Sequence, residues 1–379
     1  MTKIPFNRPL VIGTEEAYLK QALEDRHFIA GGKFAKSCEK WLHEYSGCHA
    51  FLTTSGTTAL DMAALMLDLK PGDEVILPSY TFSATANAIA LRGATPVFVD
   101  IREDTLNIDE RKIEEAVTPK TKALFPIHYA GVAAEMDTIL EIAKRYNLAV
   151  IEDAAQCLWS KYKGRPLGTL GDLGTMSFHA TKNVHGAEAG AVFVKDANLI
   201  LKAEIVREKG TNRSQFFRGE VDKYTWVDLG TSFAPSELNA AFLLAQLEAS
   251  KELTARRLKQ WQTYYEALKP LADQGHFRLP QIPAECEHNA HIFYLVLPSE
   301  EERQSFHKHM QERGIAAQPH YVPLHSSPAG RKFGRTPNNA ELPVTNRVFD
   351  GLMRLPLWFG VEEHQERIIE AVVEWTKKK

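Results

Sequence analysis

The chain contains little cysteine, and what it has is scattered. Only four of its 379 residues are cysteine, and no two of them form a CxxC pair. Disulfide-stabilised secreted domains and structural zinc sites need cysteines at close, repeated spacings. We therefore exclude both classes, expect no metal site, and interpret the four as ordinary thiols: Cys38, Cys48, Cys157 and Cys286.

A long hydrophobic run is also missing. No segment approaches the roughly 18 uncharged apolar residues that a membrane-spanning helix requires. Residues 1–9 contain no apolar stretch suited to a signal peptide. Together these absences predict a cytoplasmic protein with no membrane partner.

Neither sign of charge dominates. The chain has 45 Lys and Arg against 48 Asp and Glu, a net charge of −3 at pH 7. Such a balance gives no general attraction to nucleic acid, and the closing run 377–379 of three lysines is too short to change this. We expect small molecules, or further copies of the same chain, as partners.

What the chain does contain is the pattern of an α/β protein. Hydrophobic residues make up 44% and charged residues 25%, as in an ordinary globular protein. Between residues 50 and 200, short β-prone apolar runs alternate with helical patterns, which predicts a mostly parallel sheet of seven strands covered by helices. The predicted strands are Ala50–Leu52, Glu74–Leu77, Thr95–Val99, Ala123–Pro126, Ala149–Ile151, Gly174–Phe178 and Gly190–Val194.

The length exceeds one typical domain, so we predict a large domain over 1–250 and a small α+β domain over 251–379. A polar and aromatic loop is expected over Gly210–Gly230. A long helical pattern, Pro235–Lys269, follows it and would link the two domains.

Three segments that follow predicted strands carry residues suited to one cofactor. Lys182 lies on a tight-turn segment after the sixth strand, and Asp153 follows the fifth. Ser55, Gly56 and Thr57 precede a helix, where backbone N–H groups and the helix dipole favour a phosphate. A lysine to bond the cofactor, an acid for its ring nitrogen and a phosphate cradle together predict pyridoxal 5′-phosphate (PLP). Lys182 would also serve as the general base.

Three further side chains complete the predicted cofactor site. Ser177 would add a hydroxyl to the phosphate cradle. Phe82 would lie against the cofactor ring, and Gln156 would bond to its phenolic oxygen. Each residue alone is more often structural: a single Lys is usually a surface charge, and a single Phe usually belongs to the core. Their order along the chain supports the cofactor interpretation.

These residues and their neighbours resemble the DegT/DnrJ/EryC1/StrS sugar aminotransferases, which are PLP-dependent enzymes of fold type I. The resemblance covers essentially the whole chain, and an ordered set of this kind is highly specific. The matching stretches are Thr54–Thr57, Pro71–Ile76, Pro78–Phe82, Gly93–Asp100, Glu152–Gln156, Ser177–Lys182, Glu188 and His320–His325.

Within the family, the segments Gly210–Gly219 and Val221–Trp226 resemble the dTDP-4-amino-4,6-dideoxygalactose transaminases. This resemblance implies transfer of the amino group of L-glutamate to dTDP-4-keto-6-deoxy-D-glucose. The products would be dTDP-4-amino-4,6-dideoxy-D-galactose, an amino sugar used in surface polysaccharides such as O-antigen, and 2-oxoglutarate.

The resemblance also implies a homodimer with its active sites at the subunit interface. The Gly210–Trp226 loop would reach toward the neighbouring site. The resemblance further implies that a set of residues lies near the nucleotide sugar. Many family members have an Asn where this chain has Ser232, so a phosphate contact from the partner subunit would be shorter or absent here. The implied substrate residues are His128, Tyr129, Glu188, Arg213, His320 and Tyr321.

Other functions stay open at this point. A 3-keto sugar, or an equatorial 4-amino product as in viosamine or perosamine synthesis, would use the same chemistry. Dehydrating relatives carry histidine at the lysine position, so Lys182 favours transamination. A non-enzymatic regulator would need a DNA-binding element, and the sequence shows neither a basic helix-turn-helix nor a positive patch.

Overall fold

The computed structural model describes residues 2–378, and it confirms the α/β order. Short 3₁₀ turns connect some of the elements. The α-helices are α1 Thr14–Asp25, α2 Lys33–Ser46, α3 Gly56–Met66, α4 Ser83–Ala90, α5 Met136–Tyr146, α6 Ile200–Arg207, α7 Arg213–Phe217, α8 Glu237–Asp273, α9 Glu300–Glu312, α10 Pro328–Phe333, α11 Pro343–Gly351 and α12 Gln365–Thr376. The β-strands are β1 His49–Thr53, β2 Glu74–Pro78, β3 Thr95–Val99, β4 Thr121–Leu124, β5 Ala149–Asp153, β6 Lys161–Tyr162, β7 Arg165–Pro166, β8 Leu173–Ser177, β9 Gly190–Val194, β10 Cys286–Glu287, β11 Phe293–Val296 and β12 Leu352–Leu355.

Seven of the strands form the predicted central sheet, in the order β1-β9-β8-β5-β4-β2-β3. Strand β9 runs antiparallel to both of its neighbours, and the remaining pairs are parallel. Because β1 and β8 are both antiparallel to β9, they run in the same direction as β5. The carboxyl ends of all the strands except β9 therefore meet at one edge of the sheet.

Helices cover both faces of this sheet, as the near-continuous apolar strands require. Within β2, Ile76 points to a core shared with α2, α5 and α8. Its neighbours Val75 and Leu77 point to the opposite core, shared with α3, α4 and α6. The period-2 alternation thus places every second strand residue in each layer.

Helix α8 is 37 residues long and contributes to two cores. It begins after Ser236, whose side chain accepts a hydrogen bond from the Asn239 backbone N–H. Its first half packs on the sheet through residues such as Leu243. Its second half enters a separate core with Tyr264 and Leu268. The division into 1–250 and 251–379 stays a prediction, and its boundary would fall inside α8.

The N-terminal segment packs against the C-terminal part of the chain. Ile4 forms a bridge with Ile315 and is buried in the same core as α9, α12 and the antiparallel pair β11–β12. Pro5 accepts a hydrogen bond from the Trp358 indole at 2.9 Å. Ile4 and Pro5, which belong to the predicted large domain, therefore contact residues of the predicted small domain.

Within residues 2–378, no helix combines the length and the apolar character needed to cross a membrane.

Candidate active site

A cavity of about 540 Å³ opens at the carboxyl edge of the sheet, where ligands bind in open α/β folds. Loops that follow β1, β2, β5 and β8 form one wall, and residues from the C-terminal part of the chain form the other. The predicted residues that line the cavity are Gly56, Thr57, Phe82, Asp153, Gln156, Ser177, Lys182, Glu188, His320 and Tyr321.

Lys182 lies on the loop between β8 and β9, in a turn closed by its backbone N–H donating to the His179 carbonyl at 2.8 Å. Next to it, Asn183 donates a side-chain hydrogen bond to the Asn289 carbonyl at 2.9 Å, which ties the loop to the C-terminal part. The Lys182 side chain lines the cavity. Among the described residues it has no hydrogen bond or ion pair, so its amine is available to a ligand.

Burial lowers the pKa of Lys182, and this effect outweighs the Asp153 carboxylate, whose charge favours the protonated amine. The positive charge of Arg354 adds to the lowering. A lowered pKa increases the fraction of neutral amine near physiological pH. Only the neutral amine can act as a nucleophile or accept a proton.

Asp153 ends β5 and is almost fully buried. The Thr85 hydroxyl donates to its Oδ2 at 2.7 Å, and the Ala155 backbone N–H donates to its Oδ1 at 3.1 Å. Two donors from different elements thus hold the carboxylate in one orientation on the cavity wall.

The start of α3 presents two free backbone donors to the cavity. Ser55 forms a capping box with Thr58, in which its hydroxyl accepts from the Thr58 N–H. The N–H groups of Gly56 and Thr57 have no protein partner in the part of the chain that the structure describes. Both residues line the cavity, and Ser177 lies directly against Gly56.

This approach explains the glycine at position 56. A Cβ added there would lie 2.6 Å from the Ser177 Cβ and 2.9 Å from its Oγ, closer than van der Waals contact allows. Glycine therefore lets the helix start and the end of β8 form one continuous cradle.

Gln156 is held between two groups beside the cavity. Its Oε1 accepts from the Ala130 N–H at 2.7 Å, and its Nε2 donates to the Tyr321 hydroxyl at 2.9 Å. The Tyr321 ring lies 6.2 Å from the half-exposed ring of Phe82. The two aromatic rings and the amide form a surface against which a flat ring can bind.

His320 stacks on Tyr321 at 3.7 Å and shares a hydrogen bond of 2.6 Å with the Tyr129 hydroxyl through its Nδ1. Burial lowers the pKa of His320, and the charge of Arg354 lowers it further. The imidazole is thus held neutral, and Tyr129 supports it from beneath without lining the cavity itself.

Four predicted residues are not on the cavity wall. Ser55 has its hydroxyl in the helix cap, and Tyr129 lies behind His320. His128 is fully buried and shares a 2.8 Å hydrogen bond with Glu152, so it supports the β5 region from inside. Arg213 begins α7, where it pairs with Glu208 at 3.3 Å. Glu188, by contrast, lines the cavity 3.6 Å from the His179 ring nitrogen.

Sequence reasoning missed several residues that line the cavity. Thr85, Arg257 and His291 gave no signal, because each lies within an ordinary helical or loop pattern. Arg354 did give one: it is the single charge in the apolar run of β12. Phe6 comes from the N-terminal segment, where no pattern predicts a fold.

Comparison with known proteins identifies one family. The pattern that describes the DegT/DnrJ/EryC1/StrS aminotransferase family matches residues 11–373. The uncharacterized protein MJ1066 of Methanocaldococcus jannaschii is 33% identical over 362 residues, which cover 94% of this chain and 92% of MJ1066.

Two solved structures show the same fold. Spr1654 of Streptococcus pneumoniae, a candidate sugar aminotransferase, superposes in its PMP form with a TM-score of 0.90 at 27% identity, covering 100% of this chain and 98% of Spr1654. Helicobacter pylori PseC, an aminotransferase involved in the biosynthesis of pseudoaminic acid, gives a TM-score of 0.90 at 25% identity with full coverage of both chains. Spr1654 is also known in a PLP form.

The residues of the cavity fit PLP. The two unbonded N–H groups at the α3 start suit its phosphate. The buried Asp153 suits its ring nitrogen, and the unpaired Lys182 suits its aldehyde carbon. A Cβ at position 56 would collide with Ser177 on this part of the cavity wall, which agrees with a glycine there.

Proposed function

Because the chain belongs to the DegT/DnrJ/EryC1/StrS aminotransferase family, we propose that it is a sugar aminotransferase that moves the amino group of L-glutamate to carbon 4 of dTDP-4-keto-6-deoxy-D-glucose. The chain is a PLP-dependent aminotransferase. The choice of sugar rests on the segments Gly210–Gly219 and Val221–Trp226, and the products would be dTDP-4-amino-4,6-dideoxy-D-galactose and 2-oxoglutarate.

One observation carries the reaction class: an unpaired lysine and a buried aspartate face the same cavity. Lys182 has no protein partner among residues 2–378, and Asp153 is oriented by Thr85 and Ala155. An unpaired amine in a buried site is costly unless a ligand uses it. This pair supports transamination in preference to a non-enzymatic role.

Different residues of the chain would hold the cofactor and move protons. When bound, PLP withdraws electrons from the carbon that carries the amino group, which makes the hydrogen on that carbon acidic. Asp153 would keep the ring nitrogen protonated, and Gln156 would orient the ring from its other side. Ser177 and the Gly56 and Thr57 N–H groups would hold the phosphate.

Lys182 would carry the proton between carbon atoms. Its pKa is lowered by burial, so the neutral amine can accept a proton and the ammonium can return it. Because the lysine reaches the cavity from the β8–β9 loop, it delivers the proton from one side only. The face of delivery sets an axial or equatorial amine, and an axial amine is the galacto product.

We assign the substrate side of the cavity to His320 and Tyr321. The neutral His320 ring, stacked on Tyr321, offers hydrogen bonds to a sugar without adding charge. Glu188 lies on the same cavity wall as Lys182. His128 and Tyr129 would act through their neighbours, because neither lines the cavity.

A homodimer, with the Gly210–Trp226 loop reaching the neighbouring cavity, forms part of this proposal. Large apolar side chains are exposed along this loop, including Phe217 at 70% and Trp226 at 73%. Exposed aromatic groups at this density suit an interface between copies of the chain. Arg213, which does not line its own cavity, would then face the partner's site.

The experiment is incubation of the purified protein with PLP, L-glutamate and dTDP-4-keto-6-deoxy-D-glucose. The product is identified by mass and by the NMR coupling of the hydrogen on carbon 4. We expect an axial 4-amino sugar and 2-oxoglutarate. The Lys182→Ala variant should give less than about a thousandth of the wild-type rate, since it lacks both the nucleophile and the base.

Each other outcome would show which part of the proposal is wrong. An equatorial amine would place the protein with the viosamine or perosamine type of enzyme. No sugar product, despite conversion of glutamate to 2-oxoglutarate, would show that another keto sugar is the acceptor. Wild-type turnover by Lys182→Ala would overturn the mechanism.

A further inference from the structure

The cavity wall contains a titratable side chain that has no part in the cofactor site or the proton transfer described above. His291 lies just before β11 and lines the cavity on the C-terminal wall, together with His320 and Tyr321. It is partly buried. A neutral histidine offers a ligand either a donor or an acceptor, and the hydrogen bond at its other ring nitrogen decides which.

The side chain of Asn183 fixes the nitrogen of His291 that carries the hydrogen. Asn183 Nδ2 donates to the Asn289 carbonyl at 2.9 Å, which turns Oδ1 of the same amide toward the His291 ring. That Oδ1 lies 3.1 Å from His291 Nδ1. Because an amide oxygen can only accept, Nδ1 carries a hydrogen and donates it to Asn183.

The His291 ring is uncharged, so Nε2 carries no hydrogen. Burial lowers the pKa of His291 well below its ordinary value, and nearby positive charges, the strongest that of Lys182, lower it further. A neutral imidazole has a single N–H group, which is the one at Nδ1. Nε2 therefore keeps its lone pair, and it has no hydrogen-bond partner within residues 2–378.

The backbone of His291 is held as firmly as its ring. Arg257 is 5% exposed and donates from Nη2 to the His291 carbonyl at 2.8 Å. Its Nε donates to the preceding carbonyl, that of Ala290, at 3.1 Å. Helix α8 thus fixes the backbone, and the β8–β9 loop fixes the ring through Asn183. An acceptor that is already oriented loses little conformational freedom when a ligand binds to it.

We propose that His291 Nε2 accepts a hydrogen bond from the hydroxyl on carbon 3 of the keto sugar, and that this contact helps to determine which sugar reacts. The inference rests on the proposed function for the identity of the sugar. It adds an uncharged acceptor to the substrate side of the cavity.

The position of His291 near Lys182 favours this hydroxyl over the others of the sugar. Lys182 acts at the reacting carbon, and among the charges that act on the His291 ring its charge has the largest effect. The reacting carbon 4 lies between carbon 3, which carries a hydroxyl, and carbon 5, which carries the methyl group and the ring oxygen. Only the hydroxyl on carbon 3 can donate a hydrogen bond directly beside the reacting carbon.

A neutral acceptor also suits a hydroxyl better than it suits the charged groups of the reaction. Ionised carboxylates and phosphates have no hydrogen to donate. The ammonium group of L-glutamate has, but the charges of Lys182, Arg257 and Arg354 already act on the His291 ring and would repel a further cation.

The test combines His291→Phe, which keeps a flat ring and removes the acceptor, with a sugar that lacks the hydroxyl. Enzyme loaded with the amine form of the cofactor is mixed with dTDP-4-keto-6-deoxy-D-glucose or its 3-deoxy analogue, and the half-saturating concentration is measured. In the wild type we expect the analogue to need about three- to tenfold more, the value of a neutral hydrogen bond. In His291→Phe this difference should disappear. An unchanged difference would overturn the inference.

Two further variants separate the acceptor from the packing of its segment. His291→Gln retains an oxygen that can accept, so it should keep part of the difference between the two sugars. The matched control is His288→Phe, because His288 is also partly buried but does not line the cavity. It should discriminate between the sugars like the wild type. Equal loss of discrimination in His288→Phe and His291→Phe would show that packing is responsible, and the inference would be wrong.

Nitrogen-15 NMR of the PLP-loaded enzyme, labelled at histidine, gives a readout without turnover. The chemical shifts of the two ring nitrogens show which one carries the hydrogen, and the His291 signals are those missing from His291→Phe. We expect a protonated Nδ1 and an unprotonated Nε2. A hydrogen on Nε2 would leave no acceptor and would refute the proposed contact.

The glutamate half-reaction distinguishes this inference from the proposed function. PLP-loaded His291→Phe should consume L-glutamate with the wild-type concentration dependence. A weaker response to glutamate, with the sugar difference intact, would mean that His291 serves the amino donor instead. If the wild type consumes glutamate but rejects this sugar, the proposed acceptor is wrong. The comparison is then made with the sugar that is accepted and its analogue without the hydroxyl beside the carbonyl.

Discussion

Two environmental effects on the pKa of Lys182 oppose each other, and the effect of burial is the larger. Removing the ammonium from water lowers its pKa, while the Asp153 carboxylate raises it by a smaller amount. The balance leaves an amine that is more often neutral than an exposed lysine at the same pH. An aminotransferase needs this property at the lysine that bonds the cofactor.

The lowered pKa of Lys182 can be tested by titrating its amine. In the cofactor-free protein, modification of Lys182 by a small amine-reactive reagent should rise with pH around a midpoint below the usual lysine value of about 10.4. Because Asp153 raises the pKa of Lys182, Asp153→Asn should move the midpoint further down. Mass spectrometry of the labelled peptides measures both, with the exposed Lys120 as the reference site. A midpoint that rises in Asp153→Asn would contradict the assignment.

Among the helices and strands, the contact between the start of α3 and the end of β8 forms the part of the cavity wall that we propose as the phosphate cradle. Neither element forms the cradle alone: α3 supplies two unbonded N–H groups and β8 supplies Ser177. The capping box of Ser55 and Thr58 fixes the direction in which the helix leaves the sheet. Glycine at position 56 makes the close approach possible.

Gly56→Ala should therefore damage the cradle and the fold together. The added methyl would overlap Ser177, and overpacking of this kind costs about 1–3 kcal/mol of unfolding free energy. We also expect the Kd of PLP to rise at least about tenfold, since the two N–H groups are displaced from the phosphate. Urea unfolding and a titration of cofactor absorbance measure the two effects.

Ala63→Gly is the matched control for this helix. Ala63 is buried in the middle of α3, and glycine there weakens the helix by about 1 kcal/mol or more without moving its N-terminus. Stability should fall while the Kd of PLP stays at the wild-type value. If both variants weaken PLP equally, helix stability rather than the cradle controls the affinity.

For the whole molecule, the cavity has contributions from distant parts of one chain, and we propose that it is completed by a second chain. Phe6 reaches it because Ile4 pairs with Ile315 and Pro5 bonds to Trp358. Arg354 reaches it from the C-terminal part of the chain. The exposed aromatic loop ending at Trp226 offers the surface for the partner.

Replacing Trp226 tests the predicted dimer. A large aromatic group at the centre of an interface often carries 2 kcal/mol or more, so Trp226→Ser should raise the dimer Kd by roughly thirtyfold or more. Sedimentation at several protein concentrations measures it. Tyr146→Ser is the control, since Tyr146 is 42% exposed on α5 and lies outside the loop. An unchanged dimer in Trp226→Ser would show that the subunits meet elsewhere.

Much of the architecture was predictable because it depends on local pattern. All seven strands of the central sheet lie within a few residues of their predicted positions, since their apolar runs and turn signals are encoded in consecutive residues. The predicted cofactor residues Asp153, Ser177 and Lys182 line one cavity for the same reason. Each follows a strand, and the carboxyl ends of parallel strands share an edge.

The residues of the other cavity wall come together only because segments that are distant in the sequence pack against one another. His128 follows β4 and Arg354 lies within β12, yet the first turns inward to Glu152 and the second lines the cavity. Arg257 and Arg354 both line the cavity, but their hydrogen bonds differ. Arg257 donates to the backbone carbonyls of Ala290, Leu357 and His291, whereas Arg354 donates to the Pro319 carbonyl alone. Local sequence specifies which element a residue belongs to. The side chain's environment depends on which distant elements pack against it, and no local pattern encodes that.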